Sequence, residues 1–219
     1  MLRKNLNRCH NFLMGLRIFI YGEDGFVNNT LATSLTMLGF EVIGETESLP
    51  IADKLISFHL PDVVIFHVDY DRTCSIELAR TIRKRFPKMG MVLITKAEDI
   101  RLLGIQIRQL PIGISVVQIA KHGDLDALKE KIEIAPLCTK VKPEIKRCEY
   151  LTDTQIETIR LMAEGNANSE IAKKRFVSEK SVEQMLARIA TELGIVFDRQ
   201  HNSRVRILDS YYRLVNGRK

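Results

Sequence analysis

Long apolar runs are missing from this 219-residue chain: nothing approaches the ~18 to 20 consecutive apolar residues that a membrane-spanning helix needs. Paired cysteines are missing as well. Cys9, Cys74, Cys138 and Cys148 show no C-x-x-C spacing and no neighbouring pair of histidines, so no zinc site, other metal site or redox pair is expected and the usage fits a reducing cytoplasm. Internal repeats and low-complexity tracts are absent, which excludes solenoid architectures. At the N-terminus Arg3, Lys4 and Arg8 precede a short apolar patch in the manner of a signal peptide. Arg17 interrupts that patch and no small-residue cleavage site follows, so secretion is not expected, and residues 1–13 read as a basic tail or the product of an upstream start.

What is present suffices for two ordinary cores. The chain is 45% hydrophobic and 27% charged, with a net charge of +6, and its length fits two domains better than one. The basic excess is unevenly placed. Residues 141–219 hold fifteen Lys or Arg against eleven Asp or Glu, so the smaller C-terminal part carries four of the six excess charges, the sign that duplex DNA attracts.

In residues 15–135 short β-rich runs alternate with amphipathic segments. The runs are Leu16 to Tyr21, Glu41 to Gly44, Asp62 to His67, Met89 to Thr95 and Gly113 to Val117. Five strands separated by helices predict a doubly wound parallel sheet, α/β in class, with its chemistry at the carboxyl ends of the strands. Arg80, Arg83, Lys84, Arg85 and Lys88 read as the wet face and end of the third helix. Residues 136–150, with Pro136, Pro143 and four basic residues, read as a solvated tether. The expected domains are therefore a tail over 1–13, an α/β domain over 14–135, a linker over 136–150 and an all-α domain over 151–219.

That last domain reads as a helix-turn-helix. Between Thr152 and Gly165, apolar Ile156, Ile159, Leu161, Met162 and Ala163 recur at helical spacing, and Gly165 stops the helix. Asn168 is the expected N-cap of a second helix, Ser169 to Phe176, and Ser178 caps a third in which Val182, Leu186, Ile189 and Leu193 form one apolar stripe. The opposite face carries Lys180, Glu183, Gln184, Ala187, Arg188 and Thr191, side chains that a helix in a major groove can use. Lys180 and Arg188 are expected on phosphates, with Arg188 also able to grip guanine, Gln184 on an adenine edge, and Glu183 on cytosine N4 or in solvent. Ser169, Lys173 and Lys174 are weaker phosphate candidates. A fourth helix is expected from Ser203 to Val215, with Val205, Leu208, Tyr212 and Val215 as a stripe and Tyr211 beside it.

The residues Leu151-Thr152, Glu157, Leu161 to Gly165, Asn168 to Ala172 and Ser178 to Val182 together resemble the LuxR/NarL-type helix-turn-helix domain. The resemblance implies a transcriptional regulator that binds double-stranded DNA, is not an enzyme, needs no cofactor, and forms a homodimer through its last helix, Val205, Leu208, Tyr211, Tyr212 and Val215 being the candidate contacts. It departs at Glu183 and Met185, where that family usually has a basic residue and often a His, so the usual target sequence does not carry over. An interaction module that contacts RNA polymerase, a sigma factor or another regulator is the rival reading.

The α/β part resembles the receiver domain of response regulators through its element pattern, Leu16 to Tyr21 and Pro61 to Phe66. A working receiver carries an acidic pair after its first strand, a phospho-accepting Asp ending its third, Thr or Ser ending its fourth and Lys ending its fifth. Those positions fall on Gly22 and Glu23, His67, Thr95 and Gln118, so two of five survive, with Asp24 as a substitute acid. Alternatives stay open: Lys121 for the lysine if the fifth strand runs longer, Asp69 or Asp71 as a displaced acceptor, and His67 as acceptor, pH-responsive group or plain strand end. The expectation is a phosphorylation-independent pseudo-receiver, with a phosphorelay regulator as its alternative.

Overall fold

A computed structural model describes residues 15–68, 74–119, 125–195 and 202–217. Five parallel strands form one sheet: β1 (Arg17–Tyr21), β2 (Glu41–Thr46), β3 (Val63–His67), β4 (Gly90–Thr95) and β5 (Ile114–Gln118), in the order β2-β1-β3-β4-β5. Helices α1 (Gly25–Met37), α2 (Leu49–His59) and α3 (Cys74–Arg85) connect the first four strands, and α4 (Leu125–Ile134) follows β5. The inner strands are apolar at nearly every position because both faces of a parallel sheet must be covered. Ile18, Ile20, Val63, Ile65, Val92 and Ile94 join Leu31 and Leu35 of α1 and Leu128 and Ile132 of α4 in one core. The alternate residues Phe19, Val64, Phe66, Met91 and Leu93 are equally buried. At the β2 edge a register shift between Ile18 and Phe19 places Gly44 opposite Phe19, whose ring would lie 3.1 Å from any Cβ there.

Between β4 and β5 the expected covering helix is replaced by two single 3-10 turns, Ile100–Leu103 and Ile107–Gln109. Ile100, Leu102, Leu103 and Ile105 are all buried, so the segment has no polar face for an amphipathic helix, and Gly104, at φ +77°, ends its first turn. The basic run of α3 is not uniformly wet either. Arg83 is half-buried, its guanidinium donating to the carbonyls of Pro87, Met89 and Gly113, and burial lowers its pKa.

The helical part comprises α5 (Asp153–Ala163), α6 (Asn168–Arg175), α7 (Glu179–Glu192) and α8 (Ser203–Val215). By packing, the described chain forms two compact units: residues up to Thr95 with Arg108–Ile145, and Lys96–Ile107 with Lys146 onward. Residues 136–150 hold no helix or strand, yet they are more than a solvated tether: Gly113 N donates to Val141 O at 2.8 Å, and Cys148 is buried. Cys74, Cys138 and Cys148 are free thiols, and Cys9 and the rest of the 1–13 tail lie outside the described residues. Among the described residues no helix is long and apolar enough to cross a membrane.

Helix α5 opens on a reciprocal capping box. Thr152 Oγ1 accepts from Gln155 N, and Gln155 Oε1 accepts from Thr152 N at 2.8 Å. Gly165, just past its end at φ +88°, is the expected stop. Thr152→Ala deletes this cap and is expected to cost the helix about 1 kcal/mol. In hydrogen exchange on the full chain, first-turn α5 amides should exchange roughly fivefold faster than wild type, with Thr152→Ser close to wild type; unchanged exchange in Thr152→Ala would refute the role of the cap.

Candidate nucleic-acid interface and the strand ends

Helix α7 starts where Ser178 Oγ accepts from Ser181 N at 3.1 Å, as expected. Val182, Leu186, Ile189 and Ala190 are buried, and Leu193 is the half-buried C-cap. That burial turns Lys180, Glu183, Gln184, Ala187 and Arg188 outward, all exposed. Lys180, Gln184 and Arg188 stand at i, i+4 and i+8, so the structure brings the three main candidates onto one strip of one helix. Among the described residues no hydrogen bond or ion pair within the chain occupies these side chains.

The weaker candidates are placed differently. Lys173 pairs with Glu170 at 3.0 Å, and Lys174 Nζ donates to Asn166 Oδ1 at 2.8 Å; Ser169 is half-buried in the first turn of α6. Asn168 is not the cap of α6. The cap position is Ala167, without a side-chain bond, because the Asn168 carboxamide is taken by α8: Arg204 Nη1 donates to Asn168 Oδ1 at 2.9 Å, and Nη2 to Asn166 O. Arg175 Nη1 donates to buried Thr158 Oγ1 at 2.5 Å, which ties α6 to α5. The α6–α7 turn is made by Phe176, left-handed at φ 54° and 95% exposed.

Helix α8 spans the expected residues, but its stripe divides. Ile207, Tyr211 and Val215 face inward, whereas Val205 and Tyr212 are exposed and Leu208 is half-buried. Tyr211 is therefore no surface contact: its ring is fully buried and its hydroxyl donates to Leu102 O at 2.9 Å. Val215, equally inward, drops out for the same reason.

The α/β unit gathers the other predicted residues at the carboxyl ends of its strands. His67 ends β3, Thr95 ends β4 and Gln118 ends β5, with Thr95 and Gln118 in register. Gly22, buried, directly follows β1. A Cβ on Gly22 would lie 2.5 Å from Asn28 Oδ1 and 2.9 Å from His67 Cβ, so the space that an acidic side chain would occupy is already filled. Asn28, 1% exposed, holds that position by donating Nδ2 to Gly22 O at 2.6 Å. Asp24 is engaged as the cap of α1, its Oδ1 accepting from Phe26 N and Val27 N at 3.0 and 3.1 Å. Glu23 is half-exposed, whereas His67 and Thr95 are buried. Asp69, Asp71 and Lys121 lie outside the described residues. Among the described residues no group of three or more His, Cys, Asp or Glu could hold a metal ion.

Two participants escaped the sequence reading. Asn28 carries no local signal, being a polar residue on an ordinary helix until the fold brings it to Gly22. Asp99 did leave a trace: with Arg101 it brackets Ile100 beside the apolar residues Leu102, Leu103 and Ile105, and a carboxylate and a guanidinium so placed can be buried as a pair.

Comparison with known proteins agrees with this geometry. Residues 149–200 match the family described as bacterial regulatory proteins, luxR family, a span that takes in α5, α6 and α7. The DNA-binding transcriptional activator DevR/DosR of Mycobacterium tuberculosis is 25% identical over 168 residues, covering 71% of this chain and 77% of its own. The response regulator protein VraR of Staphylococcus epidermidis is 23% identical over 212 residues, covering 86% of this chain and 99% of its own. A solved structure of RcsB, two dimers bound to two parallel DNAs, shares the fold with a TM-score of 0.53 at 20% identity, over 92% of this chain and 99% of that one. These relatives are regulators, not enzymes. Their match along the chain and the luxR match over α5 to α7 identify the protein as a DNA-binding transcriptional regulator of the response-regulator type, with a LuxR-family helix-turn-helix domain following a receiver-like α/β unit.

Proposed function

We propose that this regulator acts without phosphorylation: its 14–135 domain is a pseudo-receiver, and its 151–219 domain, reached through 136–150, binds duplex DNA as a homodimer in the cytoplasm. The observation that carries the first part is the filled site at Gly22, Asn28 and His67. Magnesium in receivers needs hard carboxylate oxygens, and here one acid is a glycine whose side-chain space belongs to Asn28. Acceptor and lysine are replaced by His67 and Gln118, removing the nucleophilic carboxylate and the cation that would balance an incoming phosphoryl group. Incubation with magnesium and acetyl phosphate is therefore expected to leave the mass of the full chain unchanged, and His67→Asp alone should not restore labelling. A stable adduct on the wild-type chain, at Asp69 or Asp71 above all, would favour the phosphorelay reading instead.

Support for the second part is the strip Lys180, Gln184, Arg188. Its cations and amide fit phosphates and base edges, and Glu183 beside them narrows preference at one position by repelling phosphate or accepting from cytosine. Affinity of the full chain for duplex DNA should fall linearly with salt on logarithmic axes. Arg188→Ala is expected to cost ~1 to 3 kcal/mol and relax one base position, whereas Lys180→Ala weakens all sequences alike. Selection from random DNA followed by titration checks both. One observation favours a second reading, an interaction module for RNA polymerase or another regulator: Phe176 and Val177 expose apolar surface at the turn that precedes α7. Failure to retain any duplex at low salt would put that reading first.

For assembly the outward residues Val205 and Tyr212, with Leu208, are the contacts expected between two helical domains. A single module buries limited surface on DNA, and two-fold half-sites about one helical turn apart supply the missing specificity. Light scattering should return twice the chain mass on DNA. Val205→Asp should halve that mass; a single-chain mass for the wild type on DNA removes the dimer.

A further inference from the structure

Lys96–Ile107 lies in the chain between β4 and β5, yet it packs as part of the helical unit. Ala97, Ile100, Leu102, Leu103 and Ile105 are all buried there. Asp99, fully buried, accepts from Arg101 N at 2.9 Å through Oδ1 and from Cys148 N at 2.9 Å through Oδ2. The Arg101 guanidinium grips the same carboxylate at 2.6 Å and reaches Asp153 at the head of α5 at 2.5 Å and the carbonyls of Cys148 and Leu151 at 3.1 and 3.3 Å. The bond to Asp99 raises the pKa of Arg101. A buried ion pair is tolerated when its lone pairs and protons are met in this way.

The remaining contacts go to α8 and again to α5. Leu102 O accepts from the Tyr211 hydroxyl of α8, and Glu98 N donates to Leu214 O of α8 at 3.0 Å. Gly104 lets the Arg160 guanidinium of α5 lie against its backbone, where a Cβ would be 2.8 Å from Cζ. Helices α5 and α8, the first and last of the unit, are thus joined through a segment from elsewhere in the sequence. The exposed strip of α7 takes no part.

We infer that Lys96–Ile107 is a coupling arm: it completes the DNA-binding unit, holds α8 against α5, and, being continuous with β4 along the backbone, links the β4 end to α8 through the hydrogen bonds at Glu98 and Leu102. The residue before the arm is Thr95, the buried hydroxyl residue that ends β4, so a shift of that strand end is carried into the arm along the backbone. In this reading the arm sets the position of α8, and with it the outward Val205 and Tyr212 face. The DNA-binding reading enters only through the second readout of the test.

The test is hydrogen exchange with mass spectrometry on the full chain, comparing wild type with Asp99→Asn, Tyr211→Phe, Thr95→Val and the double variant Asp99→Asn/Thr95→Val. Asp99→Asn should speed exchange of α5 and α8 amides about tenfold, and Tyr211→Phe a few-fold, with β1 and β3 unchanged. Thr95→Val should speed α8 in the wild-type background but add nothing to Asp99→Asn, the non-additivity expected of coupled sites. If Asp99→Asn fails to fold, Tyr211→Phe and the pair Thr95→Val with Tyr211→Phe give the same comparison. DNA titration of the same variants should show weaker binding wherever α8 exchanges faster. Wild-type exchange in α5 and α8 of Tyr211→Phe, or additive effects of Thr95→Val with either arm variant, would overturn the inference. Loss of DNA binding by the wild-type chain with the exchange pattern intact would instead sink the DNA-binding reading alone.

Discussion

The burial of one stripe of α7 is the constraint from which the recognition surface follows. Val182, Leu186 and Ile189 must leave water, and a helix has one angular relation between its faces. Once they are under α5 and α6, Lys180, Gln184 and Arg188 have no direction left but outward. The anchoring bonds act on the same outcome from the sides: Ser178 fixes where α7 begins, Arg175 reaches Thr158 of α5, and Arg204 reaches Asn166 and Asn168. A cationic strip on an exposed helix would mean little by itself, since most such strips are solvated faces. Here it lies on a helix whose phase and starting residue are both set.

In the α/β unit the corresponding constraint is parallel strand pairing. It brings the ends of β1, β3, β4 and β5 to one side, and so collects Gly22, His67, Thr95 and Gln118 whatever their chemistry. Receiver-like folding and phosphoryl chemistry are thereby separable. The fold needs the apolar strands, which are intact, while the chemistry needs carboxylates and a lysine at four or five strand-end positions. Asn28 makes the difference physical: its carboxamide bonds to Gly22 O and occupies the volume next to His67, so a side chain at position 22 would first have to displace a packed, hydrogen-bonded one.

The helical unit adds a lesson about domain boundaries. Linker-like composition in residues 136–150 marks where periodicity stops, and α5 begins at Asp153. The packing boundary is elsewhere, because Asp99 and Leu102 bond to Cys148 and Tyr211 across long stretches of chain. A buried carboxylate cannot be left without partners, and in this chain those partners belong to the helical unit.

Strand and helix periodicities, the cap at Ser178, the stop at Gly165 and the extent of the last helix were all legible in the sequence, because each depends on residues within a turn or two of one another. So were the ends of β1, β3 and β4, whereas β2 runs two residues past its expected end, to Thr46, and β5 one past its own, to Gln118. The split of the α8 stripe was not legible: Val205, Tyr211, Tyr212 and Val215 are all apolar enough to be core, and only the carbonyl of Leu102 decides that Tyr211 goes in and Tyr212 stays out. Neither were the loss of Asn168 as a cap to Arg204, the filling of the Gly22 space by Asn28, or the transfer of residues 96–107 to the helical unit. These depend on partners 6 to 109 positions away; local pattern sets which residues must be buried or bonded, and tertiary packing alone selects with whom.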